Sequence, residues 1–136
     1  AQIKSWIMAA KTYNGELFYK VMSPFVYSND FYKTNGKWLE KRAKKFGKNV
    51  SNDWLDAFVG LCNNFLTLDI TDDLSKIKIP TLIISGSEDI LKPPEYGKLI
   101  NKKMANSKFK IVDKAAHGLF AEKPAEFNKL INNFIK

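Results

Sequence analysis

Apolar positions change their rhythm partway along the chain. Through residue 72 they recur at helical spacing, and no stretch reads as a strand. The clearest series is Trp54, Phe58, Leu61, Cys62 and Phe65, preceded by Ser51, a residue suited to capping a helix. Leu55, Val59 and Leu66 widen that stripe, so this helix is expected to be covered on more than one side. Trp38, Leu39, Ala43 and Phe46 predict a shorter helix that follows Gly36 and ends at Gly47. Pro24, Ser28-Asn29-Asp30 and Thr34-Asn35-Gly36 are expected to cut the earlier part into short pieces.

The second half has another texture. Pro80-Thr81-Leu82-Ile83-Ile84-Ser85-Gly86 is a short continuous apolar run, the pattern of a parallel strand buried on both faces. Pro93 and Pro94 open a helix carrying Tyr96, Leu99, Ile100 and Met104. Phe109-Lys110-Ile111-Val112 predicts a second strand, and Pro124 opens a closing helix with Phe127, Leu130, Ile131, Phe134 and Ile135. Strand–helix–strand–helix order implies two parallel neighbours joined by a right-handed crossover. The expected fold class is therefore α/β, with a helical segment over 1–72 and parallel strand–helix units over 73–136. Two strands and two helices cannot cover both faces and both edges of a sheet. Such a unit is expected to end a larger sheet. Position 1 is alanine, and the chain opens directly in helix-like sequence, so the chain is expected to be part of a longer protein.

Composition removes several classes of function. No window holds about 18 uninterrupted apolar residues, and the first 20 residues lack a signal-peptide layout. One cysteine, Cys62, excludes an internal disulfide, and one histidine beside it leaves no His/Cys zinc site. A cytoplasmic setting without membrane partner, metal or organic cofactor is expected. Cys62 lies on an apolar stripe without a basic neighbour, which predicts a buried, inert thiol. The net charge of +8 raises nucleic-acid binding, but Arg42 is the single arginine and the lysines are spread along both halves. The densest run, Lys41-Arg42-Ala43-Lys44-Lys45, falls on a predicted helix as a solvated face. No nucleic-acid partner is expected.

Parallel α/β sheets bind ligands at the carboxyl ends of their strands. The loops leaving those ends are Gly86-Ser87-Glu88-Asp89-Ile90 and Asp113-Lys114-Ala115-Ala116-His117-Gly118. Neighbouring strands lie about 4.8 Å apart, so Asp89 and His117 are expected to meet. An aspartate on one imidazole nitrogen fixes the tautomer, and the other nitrogen then serves as general base. Glu88 and Asp113 are competing acids on the same loops. Ala115, Ala116 and Gly118 are expected to leave room for a substrate beside His117. Leu91, Leu119 and Phe120 adjoin the site and are the candidate substrate-binding residues. Of the aromatics Trp6, Phe25, Tyr27, Phe31, Trp38 and Trp54, most are expected in the core, with one or two facing the pocket.

At these residues the sequence resembles the α/β-hydrolase family. The resemblance is carried by the segment from Leu74-Ser75-Lys76-Ile77 through Ile79-Pro80-Thr81 to Gly86-Ser87-Glu88-Asp89. It continues in Ala116-His117-Gly118 and in Glu122-Lys123-Pro124-Ala125-Glu126-Phe127. It covers roughly residues 69–136 and implies a Ser-His-Asp catalytic triad with Asp89 as acid and His117 as base. The helical half looks like the cap of such proteins, particularly members resembling 3-oxoadipate enol-lactonase. The family's nucleophile sits in G-x-S-x-G, earlier in the chain than the acid and histidine. No such motif is present, and Ser85 and Ser87 lie on the acid's own loop. Where the family often has glycine before the histidine, this chain has Ala116.

The resemblance implies hydrolysis of a small ester, lactone or thioester, with the nucleophile absent and the chain inactive alone. An aspartate nucleophile upstream implies instead a dehalogenase or epoxide hydrolase. A noncatalytic binding or interaction module with hydrolase-like loops is the reading from another class. Expected partners are a small-molecule ester or lactone, the missing N-terminal half of the fold, and a second copy meeting the open sheet edge.

Overall fold

Residues 2–136 are described in a computed structural model of the chain. By contact they divide into two compact units, one made of residues up to Pro24 with Tyr32–Asp69, the other of Phe25–Phe31 with Ile70–Lys136. The segment Phe25–Phe31, grouped by its sequence with the helical half, thus belongs by its contacts to the strand-bearing unit.

The first unit is built on helices α1 (Gln2–Ala10), α2 (Gly15–Val26), α4 (Gly36–Asn49) and α5 (Asn52–Phe65), with α3 (Asn29–Thr34) between α2 and α4. Ser51 caps α5, its hydroxyl accepting the Trp54 N–H at 3.2 Å. Ala9, Ala10, Phe18 and Leu55 form the buried core, with Val21, Met22, Phe46, Val50, Phe58 and Val59 against them. Phe18 meets Phe58 edge-on at 4.8 Å, and Trp54 stacks on Phe58 at 5.7 Å. Such aromatic pairs contribute about 0.5–1.5 kcal/mol each beyond their area.

Three expectations are corrected here. Pro24 does not end its helix: it falls in the last turn of α2, which runs two residues further to Val26 without the bond that an N–H at position 24 would give the Lys20 carbonyl. Gly47 does not end α4, which runs on to Asn49; a Cβ there would stand 2.8 Å from the Glu16 backbone nitrogen, so the glycine serves a close helix approach. The wide stripe of α5 is covered on one side only. Leu55 and Cys62 are buried, whereas Trp54, Leu61, Phe65 and Leu66 are exposed.

In the second unit a 3-10 turn (Leu74–Lys76) leads into β1 (Thr81–Gly86), then α6 (Pro94–Lys103), β2 (Ser107–Val112), α7 (Leu119–Glu122) and α8 (Pro124–Ile135). The strands run parallel, in register from Thr81 opposite Ser107 to Gly86 opposite Val112. Val112, Ala115 and Leu119 are buried, with Ile84, Phe127 and Leu130 packed on them. Burial of Val112 and Leu119 in that cluster contributes about 1.5–3 kcal/mol each. Burial on both faces of β1, predicted from its unbroken apolar run, is not reached. Thr81 through Ile84 are half-buried, and only Ser85 and Gly86 are fully enclosed. Among the described residues each strand has the other as its one strand neighbour.

Candidate active site

Both strands of the second unit end at the same edge, and the loops that leave them hold the acid and the histidine. The Ser87 N–H donates to the Val112 carbonyl and the Glu88 N–H to that of Ala115, both at 2.9 Å, so the acid's loop is laced to the histidine's loop by backbone. Gly86 makes that approach possible: a Cβ there would overlap the carbonyl oxygens of Ala115 and Ala116. Lys114 takes a left-handed backbone, φ 50°, which costs a non-glycine residue about 1–3 kcal/mol. Its N–H donates to the Ser87 hydroxyl at 2.8 Å, and that hydroxyl in turn donates to Asp113.

Asp89 and His117 meet. Asp89 Oδ2 lies 2.9 Å from His117 Nδ1. The other carboxylate oxygen, Oδ1, accepts the N–H groups of Leu91 at 2.9 Å and Lys92 at 2.8 Å. Asp89 is therefore oriented by two backbone donors, with only 4% of its side chain exposed, while 42% of the His117 side chain is open. A carboxylate oxygen accepts, so Nδ1 carries the hydrogen and Nε2 presents a lone pair. A buried acid behind an accessible imidazole leaves Nε2 free to accept a proton from a group that approaches it. The competing acids stand elsewhere: Asp113 accepts from Ser87, and the exposed Glu88 contributes its backbone N–H to the loop lacing.

The neighbours of the pair are packed in different ways. Ala115 and Ala116 are fully buried, one face taken by the end of β1, and the ring of Tyr27 occupies the space a side chain at Gly118 would need, 2.7 Å from its Cβ position. The small residues serve close packing of the loop. Leu119 is 6% exposed and belongs to the core cluster under the loop. Leu91 is half-buried and binds Asp89 through its backbone, and Phe120 is 59% exposed, edge-on to Phe127 at 6.4 Å. Of the aromatics named above Trp6 is buried, Trp38 and Trp54 are more than one-third exposed, and Tyr27, stacked on Phe31 at 5.1 Å, is set against the histidine loop.

Glu122 is the residue sequence reasoning missed. Its Oε1 accepts the N–H groups of Ala116 at 3.2 Å and Ser28 at 3.1 Å, and its Oε2 accepts the Ser28 hydroxyl at 2.5 Å. The Gly118 N–H adds a 2.7 Å bond to the Val26 carbonyl. The available signal was an acid five residues after the lone histidine, but its partner lies 94 positions away. Among the described residues no group of three or more His, Cys, Asp or Glu side chains is arranged to hold a metal, and no helix is long and apolar enough to cross a membrane.

No protein-family model matches the chain. Its fold superimposes over 98% of its length, with a TM-score of 0.85 and 33% identity, on an α/β hydrolase enzyme from a Medee basin deep-sea metagenome library. The chain carries part of an α/β-hydrolase fold. The enol-lactonase from Burkholderia xenovorans LB400 shares that fold at 19% identity, with 96% of this chain covered and a TM-score of 0.81. In sequence, 72 residues are 36% identical to a proline iminopeptidase of Lactobacillus helveticus, covering 53% of this chain and 24% of that protein. A pimeloyl-[acyl-carrier protein] methyl ester esterase of Neisseria meningitidis serogroup B is 30% identical over 63 residues, 46% of this chain and 24% of its own length. The chain spans about half of the two solved structures, 49% and 48%, and the matched stretches span about a quarter of the curated relatives. Within this hydrolase fold Ser85 is buried, its hydroxyl set against Gly97 of α6, and Ser87 braces the Lys114 turn. Neither serine stands in a G-x-S-x-G sequence.

Proposed function

We propose that Asp89 and His117 are the acid and base of a Ser-His-Asp triad in a hydrolase whose nucleophile lies outside these 136 residues. The observation that carries this reading is the 2.9 Å contact between Asp89 Oδ2 and His117 Nδ1, with the acid buried and doubly held by backbone donors. The substrate is a small ester, lactone or thioester. Relatives named as esterase and enol-lactonase support that class, and the iminopeptidase relative extends the comparison to a peptidase.

His117 Nε2 accepts the proton of the serine hydroxyl as its oxygen attacks the acyl carbon, and the carbonyl electron pair moves onto oxygen. The imidazolium, stabilised by Asp89, then gives that proton to the departing alkoxide as the acyl–enzyme forms. Water repeats the cycle: His117 takes its proton, hydroxide adds to the acyl carbon, and the serine leaves with the proton returned. Phe120 and Leu91 face the incoming acyl group, while Leu119 supports the loop from beneath. The helical segment 1–72 acts as a cap. Neither metal nor organic cofactor enters this scheme.

The test is hydrolysis of an activated ester, such as a p-nitrophenyl acyl ester, by a polypeptide that joins this chain to the rest of the fold. His117→Ala is expected to lower kcat/KM by roughly 10^4-fold or more, and the 136-residue chain alone is expected to give no turnover. Undiminished hydrolysis in the His117→Ala protein overturns the triad, and turnover by the isolated chain overturns the external nucleophile.

A further inference from the structure

The histidine loop is held from two sides, and only one of them is the acid. On the other side stands the half-buried carboxylate of Glu122, in the last position of α7. It gathers three donors: the N–H of Ala116, the residue before His117, and both the N–H and the hydroxyl of Ser28. The Ser28 hydroxyl also accepts the Phe31 N–H at 3.2 Å, which closes the strap on itself. On the far side of His117, the Gly118 N–H reaches the Val26 carbonyl, and Tyr27 packs on Gly118. Residues 26–28 thus grip the positions immediately before and after the histidine.

We propose that Glu122 is a positioning residue for His117, a latch that ties the strap Phe25–Phe31 to the histidine loop and so sets the imidazole against Asp89. The proposal rests on the catalytic reading of the Asp89–His117 pair. A buried N–H left without its acceptor is costly, so a loop that loses Glu122 moves to find another partner. A shift of about 1 Å stretches the 2.9 Å Asp89–His117 contact past hydrogen-bonding range. Geometry, more than charge, does the work. Glutamine keeps an oxygen for the two N–H groups and offers its amide N–H to the Ser28 hydroxyl. Aspartate keeps the charge but draws the carboxylate back by about 1.5 Å and cannot span the three donors.

His117 is the one histidine in the chain, so a histidine-labelled sample gives imidazole nitrogen signals from this site alone. The measurement is the tautomer of the neutral imidazole by nitrogen NMR on the full chain. The parent is expected to show hydrogen on Nδ1. Glu122→Gln keeps that state. Glu122→Ala and Glu122→Asp lose it, with the Nε2–H tautomer becoming the larger population and the Ala116 amide exchanging at least tenfold faster. Parent-like imidazole signals in both Glu122→Ala and Glu122→Asp overturn the latch. Should Glu122→Ala not fold, Glu122→Asp and the exchange of the Ala116 and Ser28 amides in the parent decide: rapid exchange of both amides in the parent also overturns it.

Asp89→Asn separates this proposal from the reading beneath it. Because Oδ1 of residue 89 is claimed by two backbone N–H groups, the asparagine turns its NH2 toward His117 and demands an acceptor at Nδ1. The hydrogen then moves to Nε2. If Asp89→Asn switches the tautomer and the Glu122 variants do not, the latch alone fails. If Asp89→Asn leaves the tautomer unchanged, the Asp89–His117 pair itself fails.

Discussion

Replacing Gly86 by alanine probes how the two site loops are held together, and its cost follows from the packing. The new Cβ overlaps the carbonyl oxygens of Ala115 and Ala116 and stands 2.7 Å from the Ala115 carbonyl carbon. Carbon atoms in contact rest at about 3.5–4.0 Å, so the strand end or the histidine loop must retreat by about 1 Å. All three atoms belong to the backbone, and no rotamer change relieves the overlap. Overpacking of this kind costs about 2–3 kcal/mol. At roughly 4 °C per kcal/mol for a chain of this length, the melting temperature falls by about 8–12 °C.

The same retreat reaches the site. Ala115 accepts the Glu88 N–H and lies two residues before His117, so a shift there lengthens the 2.9 Å Asp89–His117 contact toward about 3.9 Å, beyond a hydrogen bond. Two assays read this together: thermal melting followed by circular dichroism, and the nitrogen signals of the single imidazole. The expected result is a lower melt with loss of the Nδ1–H tautomer. A Gly86→Ala chain that melts within about 2 °C of the parent and keeps its Nδ1–H signal would refute the account of Gly86 as the close-approach point.

Three further outcomes follow from the same packing. Gly118→Ala meets the Tyr27 ring at 2.7 and 2.8 Å and the Val26 carbonyl oxygen at 3.2 Å; the two tightest contacts are to a side chain and the backbone oxygen need yield only slightly, so this change costs about 1–2 kcal/mol, and a melt as low as that of Gly86→Ala counts against the distinction. Leu55→Ala empties a fully buried position in the first unit's core and costs about 2–5 kcal/mol, measured by urea unfolding; a loss under about 1 kcal/mol means the site collapses or was never close-packed. Burial pushes the Cys62 thiol up from its ordinary value. The folded chain then keeps a proton that the unfolded chain releases, so this contribution to stability is whole below about pH 8.5 and is lost as pH rises further. Slow native labelling by a disulfide reagent, fast in denaturant, is expected, and rapid native labelling near about pH 8 contradicts it.

The Asp89–His117 contact was legible because its signal is local. Each residue sits a few positions past a strand, the strands are parallel neighbours, and parallel strands end side by side. That logic places Asp89 and His117 together without knowledge of any other contact. What it could not supply was everything that holds the pair. Glu122 reads as one more charged residue at a helix end until the strap from residues 25–31 arrives to share it. Likewise Ala115, Ala116 and Gly118 are small for a reason that periodicity does not carry: another backbone or ring lies against each. A small residue in sequence says only that something comes close, not whether it is a ligand or the chain itself. Leu119 likewise turns toward the core cluster once α7 begins there, a contact that its place two residues after the histidine does not announce.

The apolar pattern of two elements exceeds the cover they receive. In α5 the stripe is wide enough for contact on two sides, yet Trp54, Leu61, Phe65 and Leu66 are exposed beside a fully buried Leu55. In β1 an unbroken run of the kind that fills a sheet covered on both faces is half-buried along Thr81–Ile84. Local propensity is not at fault in either case, because both elements form over the residues their patterns predict, and the strand pairs in the expected parallel sense. The mismatch is one of surface. Single exposed apolar side chains are ordinary on any protein, but here they coincide with the two elements whose patterns call for a second covering layer. The solved hydrolase that matches 98% of this chain devotes only 49% of its own length to the match. The chain thus spans about half of a solved hydrolase, and α5 and β1 keep in the open the apolar surface that their patterns assign to a second layer.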